Sequence, residues 1–210
     1  MADPRPTVRA LRSDDWSAIE RLFGARGACG GCWCMWWRVP RGGRLWDENK
    51  GEPNRRAFRR LVTRGAVHGS LAFSGDEPVG WCCVGPRGEF PRLERTKALA
   101  SDWDETTWSV VCFFIPTGWR RRGVAGALLR EAVRIARDGG ARRLEAYPVV
   151  AKGTASVPAA FAWTGVPAIF LGQGFRDASA PGASRPLLVR TLRPGRTRSS
   201  GRVAPRRPGP

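Results

Sequence analysis

Arg120, Arg121 and Arg122 run directly into Gly123-Val124-Ala125-Gly126, and the chemistry such a stretch offers is the binding of an anion. A helix that begins at Gly123 leaves its first backbone N–H groups without partners and carries partial positive charge there, so its end attracts phosphate. Gly123 removes the side chain where a pyrophosphate must approach the main chain, Ala125 and Gly126 stay small for the same reason, and three guanidinium groups add positive field. Glycine also serves strand-to-helix turns for purely steric reasons, which is the plain alternative.

A second cluster lies near the N-terminus. Cys29-Gly-Gly-Cys32-Trp33-Cys34 is a CxxC with a third thiol two positions on, a spacing able to present three thiolates to zinc or an iron–sulfur centre. No fourth ligand is evident unless His68 or the Cys82-Cys83 pair folds over it, so no metal is assigned. The alternative is a set of small buried hydrophobes packed among Trp33, Trp36 and Trp37, and that is the expectation here. These three are among ten tryptophans, a density that suggests an aromatic-lined cleft.

The elements that would position these residues follow from periodicity. Residues 7–11 alternate as a short strand and lead through the capping run Ser13-Asp14-Asp15 into a helix over 14–23. Residues 24–53 have no clean period and read as a long loop with at most a turn of helix. Helical spacing returns over 54–63, and 70–74 and 78–84 read as a hairpin around Gly75-Asp76-Glu77. Residues 86–106 read as a loop with little regular structure. The run 108–115, apolar, β-rich and closed by Pro116, should be a strand covered on both faces. Residues 123–137 form the clearest helix, stopped by Gly139-Gly140, and 144–149 a further strand, so strand, helix and strand imply a right-handed crossover between parallel neighbours. Residues 158–170 are weakly helical, and 174–177 and 187–192 read as closing strands.

Arg120-x-x-Gly123-x-Ala125, preceded by the apolar strand with Pro116 and followed by Leu128-Leu129, resembles the coenzyme A signature of the GNAT superfamily of N-acetyltransferases. The order of elements over residues 7–192 agrees in outline, while the specific part is confined to 110–129. The run from Cys32 to Arg38 also resembles a Cys/Trp-rich subgroup of such proteins. The resemblance implies an α/β (α+β) fold: a mixed central sheet with a splayed parallel strand pair and flanking helices. It implies acetyl-CoA as cosubstrate and an amine, on a small molecule or a protein, as acceptor. The main chain of Phe113, Phe114 and Ile115 would then pair with the pantetheine arm, and Arg120, Arg121, Arg122, Gly123, Val124, Ala125 and Gly126 would hold the pyrophosphate. Pro116 and Arg120 stand one position further apart than is common in the family, which implies a longer turn.

For the chemistry, the family often places a tyrosine four residues before a Gly-Phe pair as the acid for the departing thiolate, and Phe170 stands there instead. Tyr147, the sole tyrosine, is the substitute candidate, although a thiolate can leave unaided. Among Glu89, Glu94, Asp102, Asp104, Glu105 and Glu145, Glu145 is the best-placed base, beside the coenzyme strand, while His68 reads as a surface residue in a turn. Trp33, Trp36 and Trp37 are expected to line the acceptor pocket, whose aromatic faces would suit a flat or cationic group.

Composition bounds the rest. A chain of 210 residues with 42% apolar content suits one domain, expected over 7–192 between a disordered 1–6 and a disordered basic tail at 193–210. No apolar run approaches the roughly 18 residues that span a bilayer, so no membrane partner and a cytoplasmic location are expected. With no export signal, the six cysteines are expected to be reduced. The net charge of +18 invites nucleic acid, but eight of those charges fall from Arg185 onward with no acid among them. Nucleic-acid contact is therefore expected through the tail alone, with a solvated end as the alternative. The rival function classes are a catalytically silent coenzyme A-binding protein and a nucleic-acid-associated protein.

Overall fold

Adjacent residues of a strand point to opposite faces, and in this chain each face has its own helix to meet. The computed structural model describes residues 5–39, 44–96, 99–150, 162–183 and 185–193. Within them lie strands β1 (Thr7–Ala10), β2 (Gly69–Ser74), β3 (Glu77–Pro86), β4 (Thr107–Phe114), β5 (Arg143–Ala146), β6 (Arg176–Asp177) and β7 (Leu188–Thr191). The helices are α1 (Trp16–Phe23), α2 (Arg44–Asn49), α3 (Glu52–Thr63), α4 (Pro91–Arg95), α5 (Val124–Asp138) and α6 (Pro167–Leu171). The described strands form one sheet in the order β1-β2-β3-β4-β5-β7-β6, antiparallel except for the β4–β5 pair. This is the mixed sheet with flanking helices that the sequence implied.

Leu71, Trp81 and Cys83 face α1 and α3, where they bury Ile19, Phe23, Phe58 and Val62. Their neighbours Ala72, Cys82 and Val84 face α5 and its apolar stripe Val124, Leu128, Leu129, Ala132 and Ala136. The spacing of that stripe is the helical period read from the sequence, and Gly139 and Gly140 end the helix. Asp15 precedes α1 but makes no capping bond of its own. It instead holds the Arg9 guanidinium through both oxygens at 2.6 Å and accepts the Arg12 N–H at 2.7 Å, which ties β1 to the start of α1.

Two departures bear on the site. Residues 86–106 are less irregular than expected: a 3₁₀ turn at Arg87–Glu89 and the short helix α4 pack Phe90 and Leu93 into the core. The α6 helix is only five residues long: of the expected 158–170 helix, 162–166 are not helical and 158–161 lie outside the described residues. So do 1–4 and the basic segment 194–210.

Gly69, at the start of β2, has Trp81 packed where a side chain would begin: a Cβ would meet Trp81 Cη2 at 2.3 Å and the Cys82 carbonyl at 2.6 Å. Backbone cannot yield cheaply, so Gly69→Ala is expected to cost about 3 kcal/mol through overpacking, read as a lower urea midpoint at unchanged slope.

Candidate functional site

Pairing between β4 and β5 runs only from Thr107–Arg143 to Val110–Ala146. Beyond it β5 ends while β4 continues to Phe114, so a strand edge opens in the middle of the sheet. A bulge marks the spot: Cys83 faces Cys112 but Val84 faces Val110, leaving Val111 as the extra residue. Such bulges bend the strand that carries them. Two side-on contacts then occupy the first part of the edge. The Trp37 indole donates to the Val111 carbonyl at 2.8 Å, and the Phe113 amide donates to the Trp163 carbonyl at 2.6 Å.

The remainder of the edge floors a cleft of about 1180 Å³. One wall is the turn into α5. A 3₁₀ turn at Thr117–Trp119 joins Pro116 to Arg120, and Arg120 Nε latches the turn to the Ile115 carbonyl at 2.9 Å. Gly123 caps α5 at φ 78°, a left-handed backbone that glycine adopts without strain, while Arg121 holds φ 60° and bears that strain. The first helical bond runs from Ala127 N to Gly123 O at 3.1 Å, so the preceding amides of Val124, Ala125 and Gly126 are the orphan donors that a helix start leaves. Arg120, Arg121, Gly123, Val124, Ala125, Gly126 and, one helical turn on, Arg130 line the cleft. Arg122 does not; its guanidinium lies over the Trp119 ring at 5.1 Å.

Across the cleft stand Phe23, Ala28, Cys29, Cys32, Cys34, Trp36 and Trp46, with 162–169 over the top through Trp163, Val166 and Ile169. The three expected pocket tryptophans divide. Trp36 lines the cleft, edge-to-face with Trp46 at 4.8 Å and with Trp163 at 6.3 Å. Trp33 and Trp37 do not: Trp33 is buried against Trp16 at 5.7 Å and Phe23 at 5.8 Å, and Trp37 is buried with its indole bonded to β4. Packing decided their placement, which a shared sequence run could not reveal.

The two residues expected to be catalytic also lie away from the cleft. Glu145 and Tyr147 are fully buried and line no part of the cleft. Glu145 Oε2 accepts from Arg87 Nε at 3.1 Å, Ser101 Oγ at 3.0 Å and the Tyr147 hydroxyl at 2.6 Å, and Oε1 accepts from Arg143 at 2.9 Å. Burial and the adjacent Glu145 push the Tyr147 hydroxyl far above its ordinary range, the reverse of what an acid for a departing thiolate requires. Phe170, in the tyrosine position, is a core ring packed on Phe113 and Phe175. His68 is half-buried against the Trp108 ring at 4.8 Å rather than a surface residue.

The thiols do not converge as a metal site: among the described residues no three His, Cys, Asp or Glu side chains are placed to hold an ion. Cys29 is exposed, Cys34 is buried, and the Trp81 indole donates to Cys34 Sγ at 3.2 Å. The neighbouring Cys112 thiol and burial push Cys34 well up, burial and the nearby Cys29 raise Cys32, and Cys112 is held up by burial against the lowering bond from Cys34.

The sequence from 33 to 160 matches the acetyltransferase (GNAT) family model, more than half of the chain. The chain belongs to the GNAT acetyltransferase family. That makes it an acyltransferase by descent, and the splayed β4–β5 pair is where the family resemblance placed it. Similar solved structures include the PaiA N-acetyltransferase of Thermoplasma acidophilum in complex with coenzyme A, at 12% identity over 90% of this chain and 100% of that one, TM-score 0.52. The YncA structure of Salmonella typhimurium with acetyl-CoA has 11% identity over 94% of this chain and all of that one, TM-score 0.52. The ribosomal-protein-alanine N-acetyltransferase of Brucella melitensis has 16% identity over 89% and 99%, TM-score 0.51. At these identities the likeness is one of fold. No curated protein matches the sequence significantly. Among the described residues no helix is long and apolar enough to cross a membrane.

Trp46, Trp163, Phe23 and Arg130 are among the cleft residues that sequence reasoning missed. Arg130 had a signal, since it follows Gly126 by four positions on one helical face. The three aromatics had none: they come from a six-residue helix, an irregular segment and the end of α1, brought together by the fold alone.

Proposed function

We propose that the protein transfers an acetyl group from acetyl-CoA to a primary amine. The observation that carries the reading is that the glycine-capped start of α5, with Arg120, Arg121 and Arg130, shares one cleft with the open edge of β4. The unpaired amides of Val124, Ala125 and Gly126 suit a pyrophosphate, and the guanidinium groups neutralise it. Since the Phe113 amide already donates to Trp163, the pantetheine arm would find its main-chain partners from the Phe113 carbonyl to Ile115. That two proteins of similar fold were crystallised with coenzyme A or acetyl-CoA supports the same reading.

Within the cleft the chain supplies positioning and positive charge rather than an acid–base pair, since no Asp, Glu, His or Tyr is among the described residues that line it. That observation also favours a second reading, a coenzyme A-binding protein without turnover. Measuring acetyl-CoA affinity by tryptophan quenching, together with thiol release against pooled amines, separates the two. Amine-dependent thiol release is expected; tight binding without it would select the silent reading. Arg121→Ala is expected to weaken acetyl-CoA binding about tenfold, as befits one charge-assisted contact, without lowering Tm, because Arg121 is exposed and alanine would carry the same left-handed backbone. Unchanged affinity would remove the turn from the site. The nucleic-acid reading concerns 194–210, outside the described residues.

A further inference from the structure

The half of the cleft that faces away from α5 is aromatic, and the carboxylates on its supporting elements are engaged elsewhere. Glu20 of α1 binds Arg55 at 2.9 Å, Asp47 of α2 binds Lys50 at 2.6 Å, and Glu131 of α5 binds Arg134 at 2.9 Å. Outside the described residues, 40–43, 97–98 and 151–161 contain no Asp, Glu, His or Tyr, and the one acid elsewhere among them is Asp3. The charges that do line the cleft are cationic, Arg120, Arg121 and Arg130. Its inner thiols, Cys32, Cys34 and Cys112, are held protonated by their surroundings and are poor bases.

From this arrangement we infer that the acceptor is an aromatic amine, uncharged at neutral pH, seated in the Trp36–Trp46–Trp163 corner. The inference rests on the acetyl-CoA reading above and narrows its acceptor. An alkylammonium has about the basicity of a lysine, so at pH 7 its charged form outnumbers the free amine by roughly three orders of magnitude. Bringing that cation into this cleft would leave it without a carboxylate partner and beside three arginines. Tryptophan faces can hold cations, but the Trp36 face is taken: the Arg92 guanidinium lies 3.4 Å from its centroid, fixed there by a bond to the Trp36 carbonyl at 3.1 Å. The edges and remaining faces of Trp36, Trp46 and Trp163, set at 84–89° where Trp36 meets the other two, suit a flat ring by edge-to-face contact.

An aromatic amine also removes the need for a base. Its nitrogen enters neutral and attacks the thioester carbonyl; the C–N bond forms, the C–S bond breaks, and the nitrogen proton passes through water to the departing sulfur. The products are an anilide and the coenzyme thiol, with no residue required to take up a proton.

The test compares two probes of similar shape and different basicity, 4-methylaniline and 4-methylbenzylamine, with spermidine as a polycation, using the full chain and acetyl-CoA. The aniline is expected to show a kcat/KM about 100-fold above either alkyl amine at pH 7, with little change from about pH 6.5 to 8.5, whereas an alkyl amine gains about tenfold per pH unit. Trp36→Ala is expected to raise KM for the aniline about tenfold at unchanged acetyl-CoA affinity. Faster turnover of 4-methylbenzylamine or spermidine, or acetyl-CoA binding with no turnover of the aniline, overturns the inference while leaving the coenzyme assignment standing. Loss of acetyl-CoA binding itself, read separately by quenching, overturns both.

Discussion

Arg87→Met is expected to lower the stability of this protein by about 3–5 kcal/mol, the cost of leaving a buried carboxylate without its buried cation. Arg87 is buried under α4 and the loop that follows, with side-chain exposure of 0% at both Arg87 and Glu145. Its Nε donates to Glu145 at 3.1 Å and to Ser101 at 3.2 Å, its Nη2 donates to the Leu99 carbonyl at 3.2 Å, and its guanidinium lies over the Trp103 ring at 5.3 Å. Methionine keeps most of the volume and removes all of these. Arg143 still reaches the other Glu145 oxygen, but from a half-exposed position where solvent weakens it, so it cannot replace the buried partner.

The companion variants separate structure from chemistry. Arg87→Met with Glu145→Leu removes both charges and is expected to recover most of the loss, as apolar replacements of buried ion pairs do. Glu145→Gln keeps the shape and is expected to destabilise less than Arg87→Met. Urea denaturation reads these differences, with equal slopes as the check that one transition is being compared. If Glu145→Gln instead left stability intact and abolished turnover at unchanged acetyl-CoA affinity, the carboxylate would be acting in catalysis and the network would not be structural.

Glu145 also illustrates what a sequence of this kind can carry. Its position on a strand beside β4 was legible, because the strand–helix–strand order and the parallel crossover follow from local periodicity. Its partners were not, because Arg87 lies 58 positions away on another element. The same division runs through the cleft. The amphipathic stripe of α5 and the glycine turn before it are local signals, and the turn appears at the expected place with Arg120, Arg121 and Gly123 to Gly126 on the cleft. The splitting of Trp33, Trp36 and Trp37 between core and cleft follows from left-handed backbone at Trp33 and Cys34, φ 44° and 58°, which no propensity predicts for a tryptophan and a cysteine. The Val111 bulge and the capture of the Phe113 amide by Trp163 likewise depend on partners far along the chain. Local patterns thus located the glycine turn on the cleft, and tertiary contacts determined the opposite wall.

Gly126→Asp is expected to abolish measurable acetyl-CoA binding, an effect of at least about 100-fold, while leaving the fold as stable as before or slightly more so. The two signs differ for physical reasons. Gly126 is in the first turn of α5, where an acidic side chain interacts favourably with the helix dipole by about 0.3–1 kcal/mol and a glycine is the poorer helix former. A Cβ there meets nothing closer than Arg130 Nη1 at 3.8 Å and Gln173 Nε2 at 3.9 Å, so no overpacking offsets that gain. The same carboxylate would occupy the cleft at the orphan amides and pair with Arg130, placing negative charge where a pyrophosphate would bind. Gly126→Ala adds the Cβ without the charge and is expected to stabilise the helix while retaining most of the affinity, so the pair distinguishes electrostatic exclusion from steric exclusion. Equal loss of binding in both variants would mean that the main chain must be approached more closely than a methyl group allows. Retained binding in Gly126→Asp would place the pyrophosphate somewhere other than the start of α5, and the reading of this cleft as the coenzyme site would fall with it.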